Sequence, residues 1–323
     1  MELITEGNTK LIVHTGLPTK KMPVFFNPIK EFDRTLSVKI IAHLKPKHCL
    51  DLLSGGGSRG IRLMKEAGVK DMTFNDANPR AIKLLKQNLK INKLKARVFN
   101  KDANQLLYDL DEYFDYIDID PFGSPNHYLE SSIVFLQRHG LLAVTATDTA
   151  ALNGARPLAC LRNYHSINQK HPFMKETGLR ILIKQVIERG AERAYALKPV
   201  LAHSTAHYYR AYFIKDLGAR RADELIKEIK PIYYCPKCCH RGFEPCNHES
   251  ISLGPIYTGS INSLPISPYN EEDCFPPWHY LTTEFTFKQE PKIDHFLDKY
   301  KAIRSHYAPK SFKSNLFLFQ KEK

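Results

Sequence analysis

Five short apolar runs lie in the first 150 residues, and the first four end at turns that carry glycine or aspartate. Residues 48–53 run into the turn Ser54 to Gly57, residues 71–75 into Asp76, residues 96–100 into Asp102, and residues 115–120 stop at Asp120 itself. Gly140 to Thr147 is the fifth run. Between them the period changes from two to about 3.6. Ile82, Leu85 and Leu89 place apolar side chains on one face of a helix that Asn78 caps and Pro79 starts. A helix after Ser58 reaches about Ala67, with Gly68 as its stop. Apolar strands alternating with helices predict a parallel sheet covered on both faces, with ligands at the carboxyl ends of the strands.

Further on, a helix near 176–189 precedes two β-rich runs, 191–200 and 206–214, which suggest a closing antiparallel hairpin. The expected fold is α/β, with the seven-stranded, mostly parallel sheet of the class I S-adenosylmethionine-dependent methyltransferases and a smaller C-terminal α+β domain. The expected boundary separates residues 1–214 from 215–323, where a charged helix, Ala222 to Lys230, is stopped by Pro231.

Chemistry is concentrated at the strand ends. A glycine-rich turn lets backbone approach a ligand. Asp76, 25 residues after Asp51, can accept from both hydroxyls of a ribose, and Asp102 can meet an adenine amine. Together they outline an adenosine pocket, which fits a nicotinamide dinucleotide as well as S-adenosylmethionine. The segment Asp120-Pro121-Phe122 favours the second. A conjugated amine is a poor nucleophile, because its lone pair is spread into the ring. Acceptors that hold both amine hydrogens favour the tetrahedral shape it needs in order to attack a methyl group. Asp120 supplies one acceptor and a proton sink. Pro121 stiffens the turn so that a nearby carbonyl can be the other, and Phe122 offers a face to a base. Asp118, two residues back on the same face, is the alternative base, although its deeper place suits a structural role.

Several stretches resemble the archaeal-type tRNA (guanine-26) N2-dimethyltransferases. They are Val24 to Pro28 with Asp33-Arg34 and Leu36 to Val38, Gly57 to Arg62, Asp118 to Gly123, Thr145 to Ala150, Leu197 to Ser204, Tyr208 to Arg210 and Gly254 to Gly259. The resemblance implies transfer of one and then two methyl groups to N2 of guanine-26. It implies S-adenosyl-L-methionine bound by Arg34, Arg59, Asp76, Asp102 and Ala103. It also implies Asp120 as the catalytic carboxylate, with Phe25 and Phe122 flanking the guanine. Where the family usually has Asn-Arg-Asp, this chain has Asp33-Arg34-Thr35.

Four of seven cysteines crowd into residues 235–246. Cys235 and Cys238, with Cys246 and His248, can close a tetrahedral zinc site, and Cys239 could replace one of them. In the family the second pair is usually Cys-x-x-Cys; here it is a compressed Cys-x-His.

Lysine and arginine number 47 against 34 acidic residues, a net charge of +13, which suggests a polyanionic partner. Residues 1–214 carry 31 basic and 20 acidic groups, whereas 215–323 carry 16 and 14. Two stretches could hold RNA. Lys83, Lys86, Lys90 and Lys93 share a helix face. The favoured stretch, 154–180, carries Arg156, Arg162, Lys170 and Lys175 among Tyr164, His165, His171 and Phe173, which suits phosphate contact with base stacking. No apolar run approaches the roughly 20 residues of a membrane span, and the polar N-terminus lacks the order of a signal peptide. A soluble cytoplasmic enzyme with tRNA as partner, and no obligate protein partner, is the expectation. A methyltransferase for another nucleobase amine such as adenine N6, a nicotinamide dehydrogenase and a non-catalytic tRNA-binding protein are the alternatives.

Overall fold

The computed structural model describes residues 1–16, 22–285 and 292–316. The chain divides into two compact units, Met1–Thr145 and Ala146–Lys323.

The first unit opens with a hairpin of β1 (Glu2–Glu6) and β2 (Thr9–Val13), followed by a 3-10 turn at Pro28–Lys30 and α1 (Glu31–Leu44). Then come β3 (His48–Asp51), α2 (Ser58–Glu66), β4 (Asp71–Asn75), α3 (Pro79–Ile91) and β5 (Arg97–Phe99). Next are α4 (Ala103–Leu110), β6 (Phe114–Ile119), α5 (Asn126–Phe135) and β7 (Leu136–Ala146). Strands β3 to β7 pair in parallel. Strands β3, β4 and β6 are short and largely buried, as strands covered by helices on both faces must be, whereas β5 at the sheet edge is half-buried and β7 runs for 11 residues. Helix α3 starts as its sequence directs: the Asn78 side chain accepts from the Arg80 N–H, with Pro79 at the first helical position. Its Ile82, Leu85 and Leu89 are buried, each contributing roughly 1.5–3 kcal/mol by leaving water.

The second unit contains α6 (Thr149–Leu152), α7 (Pro157–Tyr164), α8 (Met174–Ala191), β8 (Tyr195–Thr205), β9 (Tyr208–Leu217), α9 (Ala219–Ile226), β10 (Ile229–Tyr234), β11 (Arg241–Gly242) and β12 (Ile251–Tyr257). Strands β13 (Tyr280–Leu281), β14 (Ile303–Arg304) and β15 (Ser311–Lys313), with α10 (Ile293–Lys299), complete it. Strands β8 and β9 form the expected antiparallel hairpin. The charged helix is α9, and it ends before the expected Lys230. Pro231 lies inside β10, at a register shift between Lys230 and Ile232. A bulge tolerates proline because no ladder N–H is needed there.

The central sheet has seven strands in the order β5-β4-β3-β6-β7-β9-β8. The chain reverses direction across the sheet between β3 and β6, and open α/β sheets form their ligand crevice at such a point. Among the described residues, no helix is long and apolar enough to cross a membrane.

Candidate active site, metal centre and RNA-facing stretch

Register places the acidic turns along one edge. Asp51 pairs with Phe74 on one side and Asp118 on the other, and Asn75 pairs with Phe99. Asp76, Asp102 and Asp120 therefore all follow strand ends on the carboxyl side. The glycines between β3 and α2 have distinct reasons. Gly55 (φ +53°) needs the left-handed region, and its N–H donates to Asp76 Oδ2 at 2.8 Å. A Cβ on Gly57 would strike Leu85, and one on Gly60 would overlap the Phe74 ring, so these two let α2 pack closely.

Asp76 also accepts from the Asn78 N–H at 2.8 Å. Burial raises its carboxyl above the usual range, and the two backbone donors oppose that rise. Asp102 caps α4 through Oδ1, which accepts from the N–H groups of Asn104 and Gln105, and Ala103 is buried behind it. The Tyr128 hydroxyl is raised first by burial and then by the Asp102 and Asp76 carboxylates. Tyr128 carries no sequence signal, since a helical tyrosine is an ordinary packing residue.

Asp120 sits in a cluster of opposite charges. Lys30 Nζ lies 2.6 Å from both of its oxygens, and an Arg59 nitrogen lies 2.8 Å from Oδ2. That same nitrogen meets Asp33 at 2.6 Å, and the other terminal nitrogen donates to the Ser37 hydroxyl at 2.6 Å. Asp118 is fully buried, accepts from the Tyr116 hydroxyl and lies 3.5 Å from the Arg59 guanidinium. The Asp51 carboxyl is pushed up to about 8 by burial and by Asp118, with Arg59 opposing. Burial lowers the Lys30 ammonium, and Asp120 and Asp33 oppose that fall. Asp120 is the member of this cluster that keeps an outlet, its side chain 21% exposed.

Phe25 and Phe122 meet edge to face, ring centres 4.7 Å apart. A base between two rings needs about 7 Å, twice a van der Waals separation of about 3.5 Å. The rings must therefore part to admit one. Phe122 is 50% exposed and precedes Gly123 at φ +88°, so it is the ring with room to move.

Arg34 lies deeper than its sequence position suggests. It is buried, bidentate to Glu6 at 2.5 and 2.6 Å, and donates to the Asn27 carbonyl. In the departure from Asn-Arg-Asp, Asp33 takes Arg59, and Thr35 accepts from Arg62 at 3.0 Å.

In the second unit, ligand atoms of Cys235, Cys238, Cys246 and His248 all lie within 4.8 Å of one another. Cys238 and Cys246 sulfurs are 3.6 Å apart, and Cys246 Sγ is 3.8 Å from His248 Nδ1. Bonds of 2.3 Å to a tetrahedral zinc require about 3.8 Å between sulfurs, so the donor set fits that ion. Hydrogen bonds from Ser250 and the His248 backbone pull the Cys246 thiol down to about 6, toward the thiolate that a metal takes. Cys239 stands outside the group. It is buried with its backbone at φ +57°, and its thiol engages the Tyr234 hydroxyl.

Residues 154–180 keep their charges but not their aromatics. Arg156, Arg162 and Lys170 are exposed and Lys175 is half-buried. Tyr164, His171 and Phe173 are buried, which corrects the expectation that they face a base. Tyr164 donates to Asp148, and burial, followed by Arg241 and His279, pushes His171 down to about 3. Only His165 of the four is exposed. Lys83, Lys86 and Lys90 face solvent, opposite the buried face of α3, whereas Lys93, expected on the same face, is exposed but lies past the helix end at φ +55°.

A glycine turn, two acidic strand ends and an Asp-Pro-Phe turn, all on the carboxyl edge of this seven-stranded sheet, define a class I methyltransferase. Residues 5–267 match the family model of N2,N2-dimethylguanosine tRNA methyltransferase, and the chain belongs to that family. A tRNA (guanine(26)-N(2))-dimethyltransferase of Saccharolobus islandicus is 38% identical over 93% of this chain and 84% of its own length. A tRNA (guanine(26)-N(2)/guanine(27)-N(2))-dimethyltransferase of Aquifex aeolicus is 35% identical over 81% of this chain and 72% of its own. Among solved structures, Trm1 from Pyrococcus horikoshii, in complex with S-adenosyl-L-methionine, superposes with a TM-score of 0.83. It is 28% identical, covering 97% of this chain and 96% of that one.

Proposed function

We propose that this chain transfers one and then two methyl groups from S-adenosyl-L-methionine to the exocyclic N2 of guanine-26 in tRNA. The observation that carries the reading is Asp120, in contact with two cations at the end of β6, next to a pair of aromatic rings and on the same edge as the glycine turn. The cofactor supplies an electrophilic methyl group on a sulfonium. Asp76 and Asp102 would hold its adenosine, with Ala103 beside them, and Arg34 and Arg59 would attract its carboxylate. The guanine leaves its stack and lies between Phe25 and Phe122. Asp120 accepts from the amine. As N2 takes the methyl group that the cofactor would supply, its N–H proton would pass to Asp120 and on to water.

The catalytic part extends over about residues 1–214, and its last strands, β8 and β9, join the seven-stranded sheet. Residues 215–323, with a zinc knuckle at 235–248, form the tRNA-binding part. Arg156, Arg162, Lys170 and Lys175 contact phosphates rather than stacked bases. The enzyme works in the cytoplasm, without an obligate protein partner.

Methyl-labelled cofactor and unmodified tRNA test this directly. After digestion the label should appear in N2-methyl- and N2,N2-dimethylguanosine from position 26, with position 27 read in the same digest. Label in adenosine, or none, refutes the reading. For the RNA contacts, the double variant Arg162→Glu/Lys170→Glu should weaken tRNA binding about tenfold and reduce the slope of log affinity against log salt by roughly 1–2. An unchanged slope removes those two residues from the interface.

A further inference from the structure

We propose that Lys30 is the positioning residue of the Asp120 carboxylate, and that it forms a charge-matched pair with Asp33. This rests on the methyl-transfer reading above. Lys30 is buried at the end of the 3-10 turn Pro28–Lys30, where Pro28 sets the backbone and Asn27 caps it by accepting from the Ile29 N–H. Its Nζ bridges both Asp120 oxygens, so it fixes the plane of the carboxylate as well as its charge. The same segment carries Phe25, so one stretch of backbone sets both the ring and the cation.

The need for a second cation follows from position 33. A buried aspartate stands there, and it takes the very Arg59 nitrogen that Asp120 uses. The charged groups facing Asp120 are Lys30 from the 3-10 turn, Arg59 from α2, Asp33 from α1, Asp118 from β6 and Asp51 from β3. The Arg59 guanidinium already touches Asp33, Asp118 and Asp120 together. The sign is clear. A cation at contact stabilises the ionised carboxylate, so removing it raises the pH at which Asp120 loses its proton. The weakened base remains adequate, because the N-methylated ammonium formed on a conjugated amine is a strong acid.

The test is kcat against pH from 5.5 to 8.5 for the full chain with tRNA. It compares wild type, Lys30→Met, Lys30→Arg and Lys30→Met/Asp33→Asn. Lys30→Met should lose up to about tenfold in kcat at pH 6 and less at pH 8, its acid limb moved up by about one unit, with KM for S-adenosyl-L-methionine within about twofold. Lys30→Arg should keep the wild-type limb. The double variant, which removes one cation and one anion, should recover several-fold over Lys30→Met, and it remains a test if the single variant does not fold. A wild-type limb in Lys30→Met, or in the double variant should the single not fold, overturns the proposal, as does an arginine variant as impaired as the methionine one. A wild type that makes no N2-methylguanosine overturns the functional reading itself.

Discussion

Asp120→Asn lowers kcat for methyl transfer to tRNA by about 10³-fold, while KM for S-adenosyl-L-methionine changes little. The amide keeps the size of the side chain and one acceptor oxygen. It loses the charge, presents a donor where the amine needs an acceptor, and takes no proton. Removing one aligned electrostatic group from a reacting centre typically costs about 10²–10³-fold, and loss of the base adds to that. Asparagine also leaves Lys30 and Arg59 facing an uncharged group, so a modest fall in melting temperature accompanies the loss. The comparison of kcat with KM separates the two effects, since a merely unstable protein would lose both sites together. If Asp120→Asn keeps more than a tenth of wild-type kcat, Asp120 is not the group that receives the amine, and Asp118 becomes the candidate to examine.

The second large effect is on the metal. Purified protein should contain one zinc per chain, and a strong chelator should lower its melting temperature by about 6–12 °C, corresponding to about 3 kcal/mol. The four donors lie around the small sheet of β10, β11 and β12, with Cys235 just after β10 and His248 just before β12. Without the ion, the residues between β10 and β12 keep little but the two-residue β11 and a few hydrogen bonds, so much of the binding energy is folding energy. Cys238→Ser should lose the metal, whereas Cys239→Ser should keep it, because Cys239 lies outside the donor group and engages Tyr234. Protein without zinc, unaffected by chelation, would show a knuckle held by packing alone.

The sheet and its acidic edge were readable because they depend on periodicity and turn chemistry, which are local properties of the chain. The alternation of apolar runs and helical faces predicts the parallel strands, and residues such as Asn78 and Pro79 mark their own boundaries. The aromatics of 154–180 misled for the complementary reason. Tyr164, His171 and Phe173 look alike whether they face solvent or core, and it is packing in the second unit that buries them. Pro231 reads as a helix stop, yet a bulge lets it sit inside β10.

The amino-acid order alone determined the sheet class, the edge on which ligands gather, the donor set for a metal and the Asp-Pro-Phe turn, because each is written in neighbouring residues. Only the tertiary structure decided what surrounds Asp120. Lys30 and Asp33 are near neighbours, but Arg59 lies 26 residues beyond Asp33 and Asp120 lies 90 beyond Lys30, and no pattern in one segment announces the others. Charges pair through space, so which cation serves which carboxylate is settled only once the backbone has brought them to about 2.6–2.8 Å.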